Sequence, residues 1–206
     1  MRVRALIGVV LCLAVLPAGT AVQSFDRLPP GWHRMGPRAT AWDHVIKLDT
    51  KTKRGGASSL QIQSTKVEAR SLAGVIQGFS AEPYRGTRVR LRGSARVSTL
   101  SQWAGLMMRI ESPTVTAFDN MQGRPFQGTT DWATADIVLD VPVDAFAIYV
   151  GALVVGSGTV WIDDFEFDSV PRSVATTGRV SPRQEPVPAE RDLLPAPANL
   201  GFEPGK

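Results

Sequence analysis

Three observations predict an all-β fold of two packed sheets. Short apolar runs and two-residue alternations recur between Gln23 and Val170, Gly, Pro and Asp turns separate them, and no stretch sustains a helical period. The spacing of the runs suits a two-sheet β-sandwich. With 206 residues, 43% apolar and 20% charged, the chain has room for one ordinary domain and its flanks.

In chain order, strands are predicted over residues 45–49, 59–64, 72–79, 88–98, 105–111, 135–141, 147–155 and 159–168. The clearest is 88–98, where Val89, Leu91, Gly93, Ala95 and Val97 alternate with Arg88, Arg90, Arg92, Ser94, Arg96 and Ser98. One side therefore faces the core and the other faces solvent. Residues 147–155 are apolar at nearly every position, as in a central strand covered on both faces. In 159–168 the apolar parity changes: Val160 and Ile162 give way to Phe165 and Phe167, which predicts a swap of sides or a bulge.

The flanks read differently. Arg2 and Arg4 precede an uncharged stretch over 5–16, then Pro17 and the small residues Ala18, Gly19, Thr20 and Ala21. That order is the one of a secretory signal, with cleavage expected after Ala21 and a secreted or periplasmic destination. The stretch is shorter than the roughly 20 residues of a membrane-spanning helix, so no transmembrane segment is expected after processing. Cys12, the one cysteine, sits inside that stretch after Leu11, which does not fit a lipoprotein signal. The processed chain would then have no disulfide. At the other end, residues 171–206 hold seven of the 15 prolines and are expected to form a disordered tail, leaving 22–170 as the module. Within that tail Asn199, Leu200, Gly201, Phe202 and Glu203 are strand-like and similar to Gln23, Ser24, Phe25 and Asp26, as the start of a second module would be.

Charge and residue types exclude several functions. The net charge of +4 disperses: residues 22–170 hold 16 Lys and Arg against 15 Asp and Glu, too balanced for a footprint on phosphates. No nucleic-acid partner is expected. Two histidines, His33 and His44, both in the first loops, with no Gly-x-Ser-x-Gly elbow, argue against a Ser/His/Asp enzyme. Asp163 and Asp164 are adjacent on a strand and point to opposite faces, unlike a glycosidase pair.

The segments Phe25-Asp26, Pro30-Gly31-Trp32, Leu48-Asp49 and Gly55-Gly56-Ala57-Ser58-Ser59-Leu60 resemble the opening of galactose-binding-domain-like jelly rolls. So, in order, do Tyr84-Arg85-Gly86-Thr87, Ala104-Gly105-Leu106-Met107-Met108-Arg109, Phe118-Asp119-Asn120-Met121, Gly128-Thr129-Thr130-Asp131-Trp132 and Val160-Trp161-Ile162-Asp163-Asp164. The resemblance covers residues 23–170 and implies a jelly roll similar to carbohydrate-binding modules, non-catalytic companions of exported bacterial hydrolases (peptidases, esterases) and regulators. Carbohydrate or cell-envelope polysaccharide is the partner it implies. An interaction or structural module detached from an exported hydrolase is the alternative.

For sugar binding, Trp42 and Trp103 flank predicted loops where a flat ring can cover a pyranose face. Asp119, Asn120 and Arg124 lie in a polar loop, and Arg109 on the preceding strand reaches the same surface. Trp132 and Trp161 are expected to pack. Arg88, Arg90, Arg92 and Arg96 form a stripe whose expected partners are cross-strand acids, among them Asp136, Asp140, Asp164 and Glu166; contact with an acidic polysaccharide or the envelope is its other use. No cofactor is required, but the resemblance also implies a structural calcium ion held by Asp26, Asp164 and the backbone of residues 54–58.

Overall fold

The computed structural model describes residues 28–37, 43–184, 186 and 192–205. Among these, ten strands form two layers: β1 (His33–Met35), β2 (His44–Asp49), β3 (Ser59–Ser64), β4 (Leu72–Ser80), β5 (Arg88–Glu111), β6 (Val115–Asp119), β7 (Phe126–Asp140), β8 (Ala147–Val155), β9 (Thr159–Val170) and β10 (Arg179–Pro182). All pairings between these strands are antiparallel. The two-layer β-sandwich expected from the alternations is the fold adopted.

The long strand β5 joins the layers. Its first half lies between β9 and β7, in the order β2-β3-β9-β5-β7. Its second half lies between β8 and β6, in the order β1-β4-β8-β5-β6-β10. Between the halves Thr99 takes φ +52° and the register with β7 slips, so the two predicted strands 88–98 and 105–111 are one bent strand.

The core is filled by one parity from each layer. Leu60, Ile62, Val89, Leu91, Ile137, Leu139, Val160 and Ile162 meet Val75, Phe79, Leu106, Met108, Ile110, Ile148 and Val150. Each such side chain contributes about 1.5–3 kcal/mol on leaving water. The parity change in β9 is a bulge: Arg92 pairs with Glu166 but Ser94 pairs with Asp163, leaving two residues opposite Gly93. Asp164 takes φ +52° there, and the Phe165 ring lies where a Cβ on Gly93 would stand, 2.5 Å from that position. Glycine at 93 is therefore what lets Phe165 turn inward.

Much of the segment read from composition as a disordered tail is built into the fold. Residues 179–182 pair with β6, and Leu194 bridges to Phe79 on the open edge of β4. The buried Gln77 amide both donates to Ala198 O and accepts from Ala198 N, each at 2.8 Å. Phe202 is fully buried, with its ring 4.7 Å from Trp32 and 5.1 Å from Phe165. Trp32 Nε1 donates to Asn199 O at 3.1 Å, and Ser58 Oγ donates to Phe202 O at 2.6 Å. Proline content signals a lack of regular structure. Here one aromatic ring and buried polar groups on the sandwich supply the ordering energy instead.

Candidate functional site

Strand register sets one row of side chains across the outer face of the second layer. Tyr149 stands opposite Arg109, Arg109 opposite Phe118, and Phe118 opposite Arg179. Since successive residues point to opposite faces and Ile110, Ile148 and Ala117 are core, these four face outward. Neighbouring strands are about 4.8 Å apart, so Arg109 and Arg179 flank Phe118 at a backbone separation of roughly 10 Å. The Arg179 guanidinium lies over the Phe118 ring, 5.8 Å from its centroid.

The next row is Glu111, Thr116 and Ser181. Arg109, Thr116, Phe118, Arg179, Ser181, Pro182 and Gln184 line an open cleft of about 420 Å³. Beneath it, buried Glu111 pairs with both Arg109 and Arg183. Arg183 is itself buried and lies over the Phe146 ring at 5.3 Å. This ion triad ties β10 to β5, so the strand carrying Arg179 is held to the strand carrying Arg109.

Of the residues proposed from sequence, Arg109 is in this cleft. Trp103 shares the outward parity of β5 but stands six residues away, roughly 20 Å along the strand. Asp119, Asn120 and Arg124 form a turn rather than an open binding surface. Asp119 is buried and accepts two hydrogen bonds from Arg124, at 3.1 and 2.8 Å, and one from Met121 N at 2.8 Å. Burial pushes its carboxyl up, yet Arg124, Thr177 and the Met121 N–H outweigh that and hold it below the usual range. Asn120 Oδ1 caps Gln122 N, and Arg124 also donates to Asp136 O. The polar residues there serve a turn. Trp42 lies outside the described residues.

For calcium, Asp26 also lies outside the described residues, and Asp164 faces Arg54 at 3.6 Å. The loop offers N–H groups where a calcium shell needs oxygens: Asp163 accepts from Arg54 N and Gly55 N, and Glu203 accepts from Ala57 N with both carboxylate oxygens. Burial raises the Asp163 carboxyl, and although those N–H groups oppose it, the net displacement is upward. Among the described residues no group of three His, Cys, Asp or Glu is placed to hold a metal. The residues as placed do not fit a calcium ion. Gly56, at φ +54°, leaves the space that Glu203 fills, since a Cβ there would clash with its carboxylate.

The arginine stripe is paired, as expected. Arg88 meets Asp140, Arg92 meets Asp136 and Arg90 meets Asp168, each with two hydrogen bonds of 2.8–3.1 Å. Arg96 lies 3.7 Å from Asp131 and over the Trp161 ring, whose Nε1 donates to Asp49. A second cleft, of about 430 Å³, is lined by Gln63, Ser64, Thr65, Lys66, Val67, Thr99, Ser157, Gly158 and Thr159 and has no aromatic wall. His44 is buried and bonds Gly156 O through Nε2.

Sequence reasoning missed Phe118, Arg179, Ser181 and Gln184. The outward parity of Phe118, between Ala117 and Asp119, was visible. Arg179 and Ser181 sit in a four-residue strand that proline-rich flanks concealed.

No family model matches the chain. It is 34% identical over 176 residues to the uncharacterized HTH-type transcriptional regulator YbfP of Bacillus subtilis (strain 168), across 84% of this chain and 56% of that protein. The chain thus spans about half the length of this relative. Among the described residues there is no α-helix, so the helix-turn-helix in that name is not among them.

Three solved structures are similar to this chain. The enzymatically active domain of bacteriophage CBA120 tailspike protein 4 has TM-score 0.50 and 14% identity, over 68% of this chain and 20% of that one. A xylan-binding domain from CBM 22 has TM-score 0.49 and 16% identity, over 70% and 90%. The C-terminal family 22 carbohydrate-binding module of Clostridium thermocellum Xyn10B has TM-score 0.49 and 16% identity, over 73% and 93%. At these identities the likeness concerns fold, and fold does not imply function.

Proposed function

We propose that this chain is a non-catalytic carbohydrate-binding module that holds a saccharide in the cleft over Phe118. The observation that carries the reading is the Tyr149–Arg109–Phe118–Arg179 row, with Thr116, Ser181 and Gln184 beside it. A flat apolar ring covers the C–H face of a pyranose, and surrounding donors fix its hydroxyls. Held on strands, such groups are pre-ordered, so binding orders little. The signal pattern of residues 2–21 supports action outside the cytoplasm.

Calorimetric titration of the chain with neutral and acidic oligosaccharides tests this. Binding is expected, with Phe118→Ala lowering affinity at least tenfold while Trp103→Ala and Arg124→Ala leave it within a factor of two. If no glycan binds a cooperatively melting protein, the sugar reading fails and the interaction module takes its place.

A further inference from the structure

We propose that the slot beside Trp32 is a docking site for a phenylalanine followed by a carboxylate, and that Ser24-Phe25-Asp26 competes for it with Gly201-Phe202-Glu203, the segment seated there. Phe202 fills the apolar part of the slot, buried against Trp32 and Phe165. Around that ring the sandwich donates and the segment accepts. Trp32 Nε1 donates to Asn199 O and Phe165 N to Leu200 O, each at 3.1 Å, and Ser58 Oγ donates to Phe202 O at 2.6 Å. Ala57 N donates to both Glu203 carboxylate oxygens, at 3.0 and 2.9 Å, in the space that Gly56 leaves. Three of these four donors take backbone carbonyls, which any sequence offers. The ring and the acid after it are what select an occupant.

Five phenylalanines of the chain precede an acid. Phe118-Asp119 lies in β6, and Phe165-Glu166 and Phe167-Asp168 lie in β9. Apart from Phe202-Glu203 that leaves Phe25-Asp26, and a small residue precedes each of these two, Gly201 in one and Ser24 in the other. Reach permits the exchange. Phe25 stands seven residues before Trp32, itself part of the slot. Pro30 borders the seated segment, since a Cβ on Gly205 would stand 3.9 Å from its Cδ. The chain from Asp26 to Pro30 extends to roughly 14 Å.

The two competitors are unequal. Asn199 closes its segment on itself, donating to Glu203 O and accepting from Glu203 N at 2.7 Å each, so the segment docks already shaped. The matching position before Phe25 is Val22, whose side chain forms no such bonds, and Asp26 is one methylene shorter than Glu203. Residues 199–203 therefore hold the slot at rest. One slot admits one ring, so entry of Phe25 releases Phe202.

The test is a double-mutant cycle on the full chain, read by urea unfolding and by the NMR signal of the Trp32 indole N–H, whose acceptor is Asn199 O. Phe25→Ala alone is expected to raise the unfolding constant by less than about twofold, because the slot is already filled. In an Asn199→Ala or a Glu203→Ala background, each of which loosens the seated segment, Phe25→Ala should raise it at least about fivefold, as coupled sites do. Either background should also give the indole a second signal, which Phe25→Ala removes. Both readouts are required. Equal effects of Phe25→Ala in all three backgrounds, whether large or small, overturn the proposal, and so does an indole signal indifferent to Phe25→Ala in both loosened backgrounds.

Discussion

The two outer faces of the sandwich both carry arginines, and they differ in what lies opposite each one. On the face of β9, β5 and β7, each of Arg88, Arg90 and Arg92 meets an aspartate on the adjacent strand, so the stripe is a ladder of closed pairs. On the face of β8, β5, β6 and β10, the neighbours of Arg109 and Arg179 in the row are aromatic. The arginines of the ladder thus serve cohesion, as Arg109 also does through Glu111, whereas Arg179 lies on an aromatic ring at an open surface. The deciding factor is the residue across the ladder, which one strand's sequence does not contain.

The faces also differ in what they need from the end of the chain, and this yields the largest expected effect. The aspartate pairs of the ladder all lie before Val170, whereas the cleft takes Arg179, Ser181 and Gln184 from beyond it, Leu194 bridges to the edge of β4, and Phe202 is buried against Trp32 and Phe165. Phe202→Ala is expected to cost about 3–5 kcal/mol, a range typical of a fully buried ring cut to a methyl. Ending the chain at residue 170 should cost more, because Gln77 and Trp32 Nε1 would also lose their partners. Thermal or urea melts measure both. A truncated chain melting like the full one would mean that the terminal segment only rests on the sandwich.

Next in size is the turn before the cleft. Asp119→Ala removes the acceptor of two Arg124 N–H groups and of Met121 N, and about 1–3 kcal/mol should be lost. Sugar affinity should hold apart from that loss of stability. A selective loss of binding in a stably folded variant would return Asp119 to the site.

These cases show which signals were local. The alternation of 88–98 was readable because parity is a property of one strand. The parity change in β9 announced its bulge, although the reason Phe165 turns inward is Gly93 on another strand. The Asp119–Arg124 loop is ambiguous in sequence because a ligand site and a capped turn use the same residue types, and only hydrogen-bond partners reveal the turn. Arg109, singled out by its place on a strand, lines the cleft. Arg179 lines it too but was not singled out, because its strand is four exposed residues paired to β6, a non-local contact with no period of its own.

The smallest effects come from the ladder, where acid is the sharpest probe. Arg92 and Arg88 hold the carboxyls of Asp136 and Asp140 below the ordinary range, against a smaller opposing push from burial. A folded value below the unfolded one of about 3.9 means that the pairs stabilise above roughly pH 4, and lose that contribution as pH falls through the folded values. Solvent reaches both carboxylates, so the step should be modest. Melting temperature followed from pH 6 to pH 2 should fall, and fall less in the Arg88→Gln, Arg92→Gln double variant, which has less left to lose. At neutral pH Arg90→Ala should change stability by under about 1 kcal/mol and sugar affinity not at all. If removing these arginines weakened ligand binding as Phe118→Ala is expected to, the two faces would share one function and the closed pairs would be reservoirs of charge rather than braces.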